Sequence, residues 1–381
     1  MAQGRLGIAL VSDWYPPAVG GVETQVRGLA RALAADGHDV RVITSSRGED
    51  EADSVHVERL ECAYLPRTRV ATPTRATYDE LCERLARGRV DVVHAHGMFS
   101  TLAMGGLLAA RRLGLASVTT HHSLLRLHHL PAARLVYLLA SRHADVVTAV
   151  SHAAASDARR AAGRDEVLTL PNGIDVDGAG LRGAARSADG EIRVTSVMRL
   201  KLKKRPYHLV WDFARVLARV ADRERVRLTI VGDGPERRRV ERLAAWLGIR
   251  DRVKFCGECT PEDVAQILSD STVFVSTARA EAFGIALLEA RLAGLPIVAL
   301  AGGGVADVVE HGRHGLLAPS RRVFVESVAR VIEDASLRQR LADASRDGLE
   351  RFSWDALAGR YLDVYRLAME RRRQRKGQAA T

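Results

Sequence analysis

The chain alternates short apolar runs with helix-periodic segments, and it does so in two successive series. That pattern confines it to layered α/β architecture. In the first series, residues 6–12, 38–44, 90–94, 116–120 and 145–150 read as buried strands, and an amphipathic helix is expected from Val22 to Ala35. The second series runs through 192–197, 227–231, 253–255, 271–277 and 295–300, with helical pattern continuing from Val323 to Arg351. Strand, helix and strand in succession imply right-handed crossovers, so each series predicts one parallel sheet. Between them, residues 172–180 and 187–190 are rich in Gly, Asp and small side chains, the composition of a linker. The expected organisation is a first domain over 1–178, a linker over 179–190 and a second domain over 191–353. A length of 381 residues, more than one core usually serves, agrees with two domains, which side by side would enclose a cleft.

Composition narrows the function classes less than the folding pattern does. Cysteines at 62, 82, 256 and 259 make no secreted disulfide framework, and no apolar leader precedes the first strand. A reducing cytoplasm is the expected location. No apolar segment reaches the eighteen or so residues of a membrane span. The net charge of +11 would attract phosphates, anionic membrane or nucleic acid alike. Part of it lies in Arg371–Lys376, which has no aromatic residue for base stacking and reads as a frayed, solvated end. A noncatalytic nucleic-acid-binding protein is therefore the remotest of the readings.

The segment Glu281-Ala-Phe-Gly-Ile-Ala-Leu-Leu-Glu289 places two carboxylates eight residues apart around a Phe-Gly turn that opens a helix. Eight residues are about two helical turns, so Glu289 looks back toward Glu281. The pair follows a strand, at the carboxyl end where open α/β sheets bind ligands. Such spacing suits a nucleotide sugar, whose hexose and ribose hydroxyls each need an acceptor while the diphosphate between them needs backbone donors. Met198-Arg199-Leu-Lys-Leu-Lys203-Lys204 concentrates cations after another strand, the charge that a departing diphosphate requires if no metal supplies it. Asp13-Trp-Tyr-Pro-Pro-Ala-Val-Gly20-Gly21-Val-Glu23 joins the first strand to the first helix as a candidate anion cradle, and lacks the dinucleotide pattern G-x-G-x-x-G. His121-His122 follows the strand at 116–120 and offers imidazoles to the same edge. Cys256-Gly-Glu-Cys259 has no second pair to complete a zinc site, and Asp175-Val-Asp177 falls in the linker, so neither is assigned a metal.

Together these segments resemble the retaining GT-B glycosyltransferases of family 4, whose E-x7-E element matches residues 281 to 289. The resemblance covers nearly the whole chain. It implies two Rossmann-like domains facing each other across a cleft, with a last helix, here 354–381, crossing back to the first domain. It further implies metal-independent transfer of a hexosyl group from a nucleotide sugar to an acceptor hydroxyl, with no cofactor. Residue by residue, it assigns catalytic roles to His122, Arg199, Lys204 and Glu281. Donor contacts fall to Gly20, Gly21, Gly232, Phe283, Gly284, Ile285 and Glu289, with Glu281 on the hexose and Glu289 on the ribose. His121 and Lys203 stay open as alternatives to their neighbours. The chain departs from the family in having Met198 and Arg205 where glycines are frequent. Within the family it is most similar to members that use UDP-N-acetylglucosamine. That likeness favours a small soluble acceptor such as an aminocyclitol, with a lipid acceptor at an anionic membrane surface or a GDP-mannose donor as alternatives. Residues 64–78 and 123–133 would supply acceptor contacts.

Overall fold

The computed structural model describes residues 4–18, 20–48, 55–64, 71–72, 74–97, 100–124, 138, 141–176 and 190–380. They divide into two compact units, residues 1–174 with 351–381, and residues 175–350. Residues 177–189, which include Asp177 and all of the expected linker 179–190 but its last residue, lie outside the described residues.

In the first unit the strands are β1 (Gly7–Ser12), β2 (Asp39–Thr44), β3 (His56–Arg59), β6 (Val92–His96), β7 (Ala116–His121), β8 (Val146–Ala149) and β9 (Leu168–Thr169). A separate antiparallel pair is formed by β4 (Ala63–Tyr64) and β5 (Ala71–Thr72). The main sheet is parallel, in the order β3-β2-β1-β6-β7-β8-β9. Every residue of β1 and β7 is buried, so neither alternates as a half-exposed strand would; β1 is mostly apolar, whereas β7 also buries Ser117, Thr119, Thr120 and His121. One face of the sheet packs Ile8, Leu10 and Val118 against Val26, Leu29 and Leu33 of the helix Gly21–Ala35. The other packs Ala9, Val11 and Val93 against Leu81, Leu85 and Leu102 of the helices Arg75–Ala86 and Thr101–Leu113.

The second unit repeats this winding with β10 (Ile192–Val197), β11 (Val226–Val231), β12 (Val253–Gly257), β13 (Val273–Ser276), β14 (Ile297–Leu300) and β15 (Gly315–Ala318). All pairs are parallel, in the order β12-β11-β10-β13-β14-β15. Each sheet reverses its strand order once, between β1 and β6 and between β10 and β13. Open α/β sheets bind ligands beyond the carboxyl ends of the strands at such a reversal.

The final helix, Trp354–Ala380, returns to the first unit. Its Leu357, Tyr361, Leu362, Tyr365 and Ala368 are buried in the same cluster as Ile8, Leu10 and Val26. The basic end expected to fray does not. Arg371 pairs with Glu166, Arg375 lies 3.2 Å from Asp145, and Arg372 donates to the Arg111 carbonyl at 2.8 Å. Acceptors on the first unit hold that end as a helix, which a run of arginines alone does not predict.

Candidate active site

In the second unit the predicted residues gather at the reversal between β10 and β13. The loop leaving β10 is tied to the loop leaving β11, since Met198 N donates to Val231 O at 2.9 Å and Leu200 N to Asp233 O at 2.8 Å. Gly232 makes this pairing fit. Its φ is 117° and a Cβ there would lie 2.1 Å from the Met198 carbonyl oxygen, so backbone contact alone demands glycine at 232. That contact supports the exposed turn bearing Arg199.

A short 3-10 turn, Leu202–Lys204, then directs Lys204 back across the strand ends, where its Nζ donates to Glu281 Oε2 at 2.5 Å. Lys203 stays exposed, and its ammonium is held below the usual lysine range by partial burial and then by the neighbouring charges of Lys204 and Lys201. Arg199 and Glu281 also act on it, so the cations of this turn and the first carboxylate share one small region. Arg205, in place of the family's glycine, adopts φ 60° and ψ 45° directly before the helix Pro206–Leu217. It is the one non-glycine residue with positive φ among the described residues.

Glu281 is fixed through its backbone as well, because its carbonyl accepts from Gly304 N at 2.8 Å. Phe283, 1% exposed, anchors the turn in the core, and Gly284 at φ 101° starts the helix Ile285–Leu292. A Cβ on Gly284 would stand 3.4 Å from Glu281 Cγ, so the amino end of this helix, with its orphan amides, opens beside that carboxylate. Glu289 lies one to two turns along the same helix, half-buried. Among the described residues its carboxyl has no hydrogen-bond or ionic partner, and burial pushes it up to about 7.

In the first unit, Gly20 precedes the helix Gly21–Ala35 in extended backbone, φ 170° and ψ 167°, with no side-chain cap on the helix start. Any residue adopts that conformation, so what glycine contributes at 20 is the missing side chain beside open helix amides. His122 follows β7, and its Nε2 lies 3.1 Å from Nδ1 of His96, the last residue of β6. Burial holds both imidazoles neutral, His122 at about 4 and His96 well below the ordinary histidine range. His121 is buried on the opposite side of the strand, 1% exposed and lowered to about 3 by burial.

Sequence reasoning assigned no role to His94, His96 or Asp13. His94-Ala-His96 alternates polar side chains onto one face of β6 at its carboxyl end, a signal that was available. Asp13 follows β1 directly; its Oδ1 accepts from Ser45 at 3.0 Å and burial raises the carboxyl to about 6. That environment appears only once β1, β2 and the helix Thr101–Leu113 are assembled. Among the described residues no group of three or more His, Cys, Asp or Glu side chains is placed to hold a metal ion. Among them, too, no helix is long and apolar enough to cross a membrane.

Two family models match the chain, one for glycosyltransferase family 4 over residues 19–177 and one for glycosyl transferases group 1 over residues 181–348. The D-inositol 3-phosphate glycosyltransferase of Acidothermus cellulolyticus is 30% identical over 404 aligned positions, covering 93% of this chain and 87% of that protein. A human phosphatidylinositol N-acetylglucosaminyltransferase subunit is 28% identical over 334, covering 85% of this chain and 68% of the human protein. Among solved structures, Anabaena HepE in complex with UDP and glucose superposes with a TM-score of 0.77 at 21% identity, over 94% of this chain and 99% of that one. With parallel α/β sheets in both units, the returning helix and the matched models spanning most of the sequence, the chain belongs to the family 4, group 1 glycosyltransferases and has the GT-B fold.

Proposed function

We propose that the chain transfers a hexosyl group from a nucleoside diphosphate sugar to an acceptor hydroxyl, with retention at the anomeric carbon and without a metal. The proposed donor is UDP-N-acetylglucosamine, and the acceptor a small soluble polyol of the aminocyclitol kind. The observation that carries this reading is the 2.5 Å bond from Lys204 to Glu281 within a group of cations that includes Arg199 and Lys203. A hexose needs a carboxylate to accept from its hydroxyls and a departing diphosphate needs positive charge; here one hydrogen bond separates the two.

In this scheme Arg199, Lys204 and the helix-end amides at Phe283, Gly284 and Ile285 take up the charge that develops on the leaving diphosphate. Glu281 holds hexose hydroxyls and Glu289 accepts from the ribose. On the first unit His122 meets a sugar or acceptor hydroxyl, and Gly20 and Gly21 lie against the diphosphate or the acceptor. The acceptor hydroxyl enters on the face the diphosphate leaves and gives its proton to the departing phosphate oxygen, so no protein base is required. The choice of sugar is supported by the name of the human relative, and that of a small acceptor by the name of the Acidothermus one.

Thermal-shift measurements with UDP, GDP, ADP and their sugars test the donor, since a ligand of the folded state raises its melting temperature. UDP and UDP-N-acetylglucosamine are expected to give the largest shifts; a larger shift with GDP-mannose would replace the donor assignment. The anomeric configuration of the product, read by NMR coupling, tests retention. A lipid acceptor is the second reading, favoured by the +11 charge and by the phosphatidylinositol in the human relative's name. Co-sedimentation with anionic vesicles that persists at moderate salt would move the assignment to it.

A further inference from the structure

Trp14 stands half-buried between the buried Asp13 and Tyr15, just beyond the carboxyl end of β1. The loop that carries it is fastened before any ligand arrives. Ser45 Oγ donates to Asp13 Oδ1 at 3.0 Å, while Ser46 Oγ donates to the Asp13 carbonyl at 2.9 Å and accepts from Tyr15 N at 2.9 Å. Arg59 Nη2 donates to the Pro16 carbonyl at 3.1 Å, and Trp14 N donates to Ser12 Oγ at 3.1 Å. Tyr15 fills the core against the first sheet, but among the described residues Trp14 neither belongs to a hydrophobic cluster of that unit nor packs against one. Its indole is held in place without contributing to the core.

A missing side chain seats the rim of that indole. Gly97 has φ 91°, and a Cβ there would stand 2.4 Å from Trp14 Cζ3, 3.2 Å from Cε3 and 3.5 Å from Cη2. An approach closest to one benzo carbon, with both of its ring neighbours farther off, is edge-on. Gly97 therefore faces the rim of the indole and covers neither of its flat sides. Its own N donates to the Thr120 carbonyl at 3.2 Å, so the seat is fixed to the sheet. Gly97 follows His96, whose Nδ1 lies 3.1 Å from His122 Nε2. Trp14 and His122 thus border the same strand ends, where the first sheet reverses its order between β1 and β6. Open α/β sheets take their ligands at that end.

We propose that Trp14 is the residue that selects a ring as acceptor: the C–H face of a six-membered polyol lies flat on its indole. Such a ring carries its hydroxyls around the rim and turns C–H groups to either side, so a flat aromatic surface can bury one side while leaving the hydroxyls free to reach polar groups. An open-chain polyol has no such face unless several bond rotations are frozen, which costs binding free energy. The fastened loop supplies the matching rigidity on the protein side, because the indole loses little freedom when the ring arrives. The inference rests on the proposed transfer to a polyol and deepens it by naming the side chain that recognises the acceptor's shape.

Transfer from UDP-N-acetylglucosamine by the full chain tests this with two rings, 2-deoxystreptamine and myo-inositol, and with sorbitol, an open chain that has as many hydroxyls as myo-inositol. We expect a KM for the better ring about 10-fold or more below that for sorbitol. Trp14→Leu keeps apolar bulk without a flat face, and should raise the ring KM by about 10-fold while the sorbitol and donor KM values stay. Trp14→Phe keeps a smaller face and should raise the ring KM by about 3-fold, which preserves the test if the leucine variant does not fold. An unchanged ring KM in these variants, or equal losses for ring, open chain and donor that follow the melting temperature, would overturn the platform alone. Transfer to none of the three, in a chain whose melting temperature UDP raises, would overturn the polyol acceptor and the inference with it.

Discussion

Glu289 has no partner among the described residues, and its carboxyl is raised by burial from the ordinary 4.5 to about 7. Between those values the folded chain holds a proton that the unfolded chain has released, so stability falls as pH rises through this window and stays lower above it. Glu289→Gln should remove that decline, melting above the wild type at neutral pH and together with it below about pH 4. If the carboxylate accepts from ribose, donor affinity in the wild type should rise through about pH 7 and stay flat in the variant. Arg199 makes the complementary case, since a cation serving the departing diphosphate acts mainly in the transition state. Arg199→Ala should lower kcat by about 10²–10³-fold while donor affinity changes little. Equal losses in both would remove it from that role. Arg205 carries a local cost, because left-handed backbone costs an ordinary residue about 1–2 kcal/mol. Arg205→Gly should therefore stabilise by about 0.5–1 kcal/mol after the greater freedom of glycine in the unfolded chain is subtracted. A denaturant midpoint that falls instead would contradict the strain. Glu281 and Glu289 stood out in the sequence by spacing, and Arg199 with the Lys203-Lys204 pair by charge, whereas the contact of His96 with His122 did not, because the two lie 26 positions apart.

Elements differ in how plainly they announce themselves, and burial explains the difference. Strands buried on both faces, such as β1 and β14, appear as apolar runs that need no partner to be recognised. The edge strand β3 is half-exposed along most of its length, and β9 has two half-buried residues. Pairing with β2 and β8 makes them strands, not composition. Helix starts carry a local signal instead, since Ser100, Ser151, Thr260 and Ser320 each accept from a backbone amide in the first turn. One contact between helices is open to direct test. Asp212, fully buried on the helix Pro206–Leu217, accepts from Arg321 Nε at 2.9 Å and Nη2 at 2.7 Å at the start of the helix Arg321–Glu333. Arg321→Met would leave this carboxylate with Arg215, 3.6 Å away, and should cost about 3 kcal/mol in chemical denaturation. A loss below about 1 kcal/mol would mean that Arg215 takes over the pairing.

At the scale of the molecule, the first unit is not continuous in sequence, because residues 351–381 complete it. The returning helix buries Leu357, Tyr361, Leu362 and Tyr365 against the first sheet, and burying each such side chain is worth about 1.5–3 kcal/mol. Their sum rivals the whole stability of a domain. A chain ending at Ser353 should therefore lose the cooperative melting and near-ultraviolet dichroism of its first unit; retention of both would show that the helix is dispensable. The sequence by itself determined the doubled alternation of strands and helices, and with it the parallel sheets and the strand ends at which ligands bind. Those features are carried by local periodicity and need no distant partner to be read. Tertiary structure alone decided that Lys204 rather than Lys203 pairs with Glu281, that His96 and His122 lie in contact, and that the basic end is an anchored helix. Each depends on which surfaces the completed sheets and helices bring within hydrogen-bonding distance.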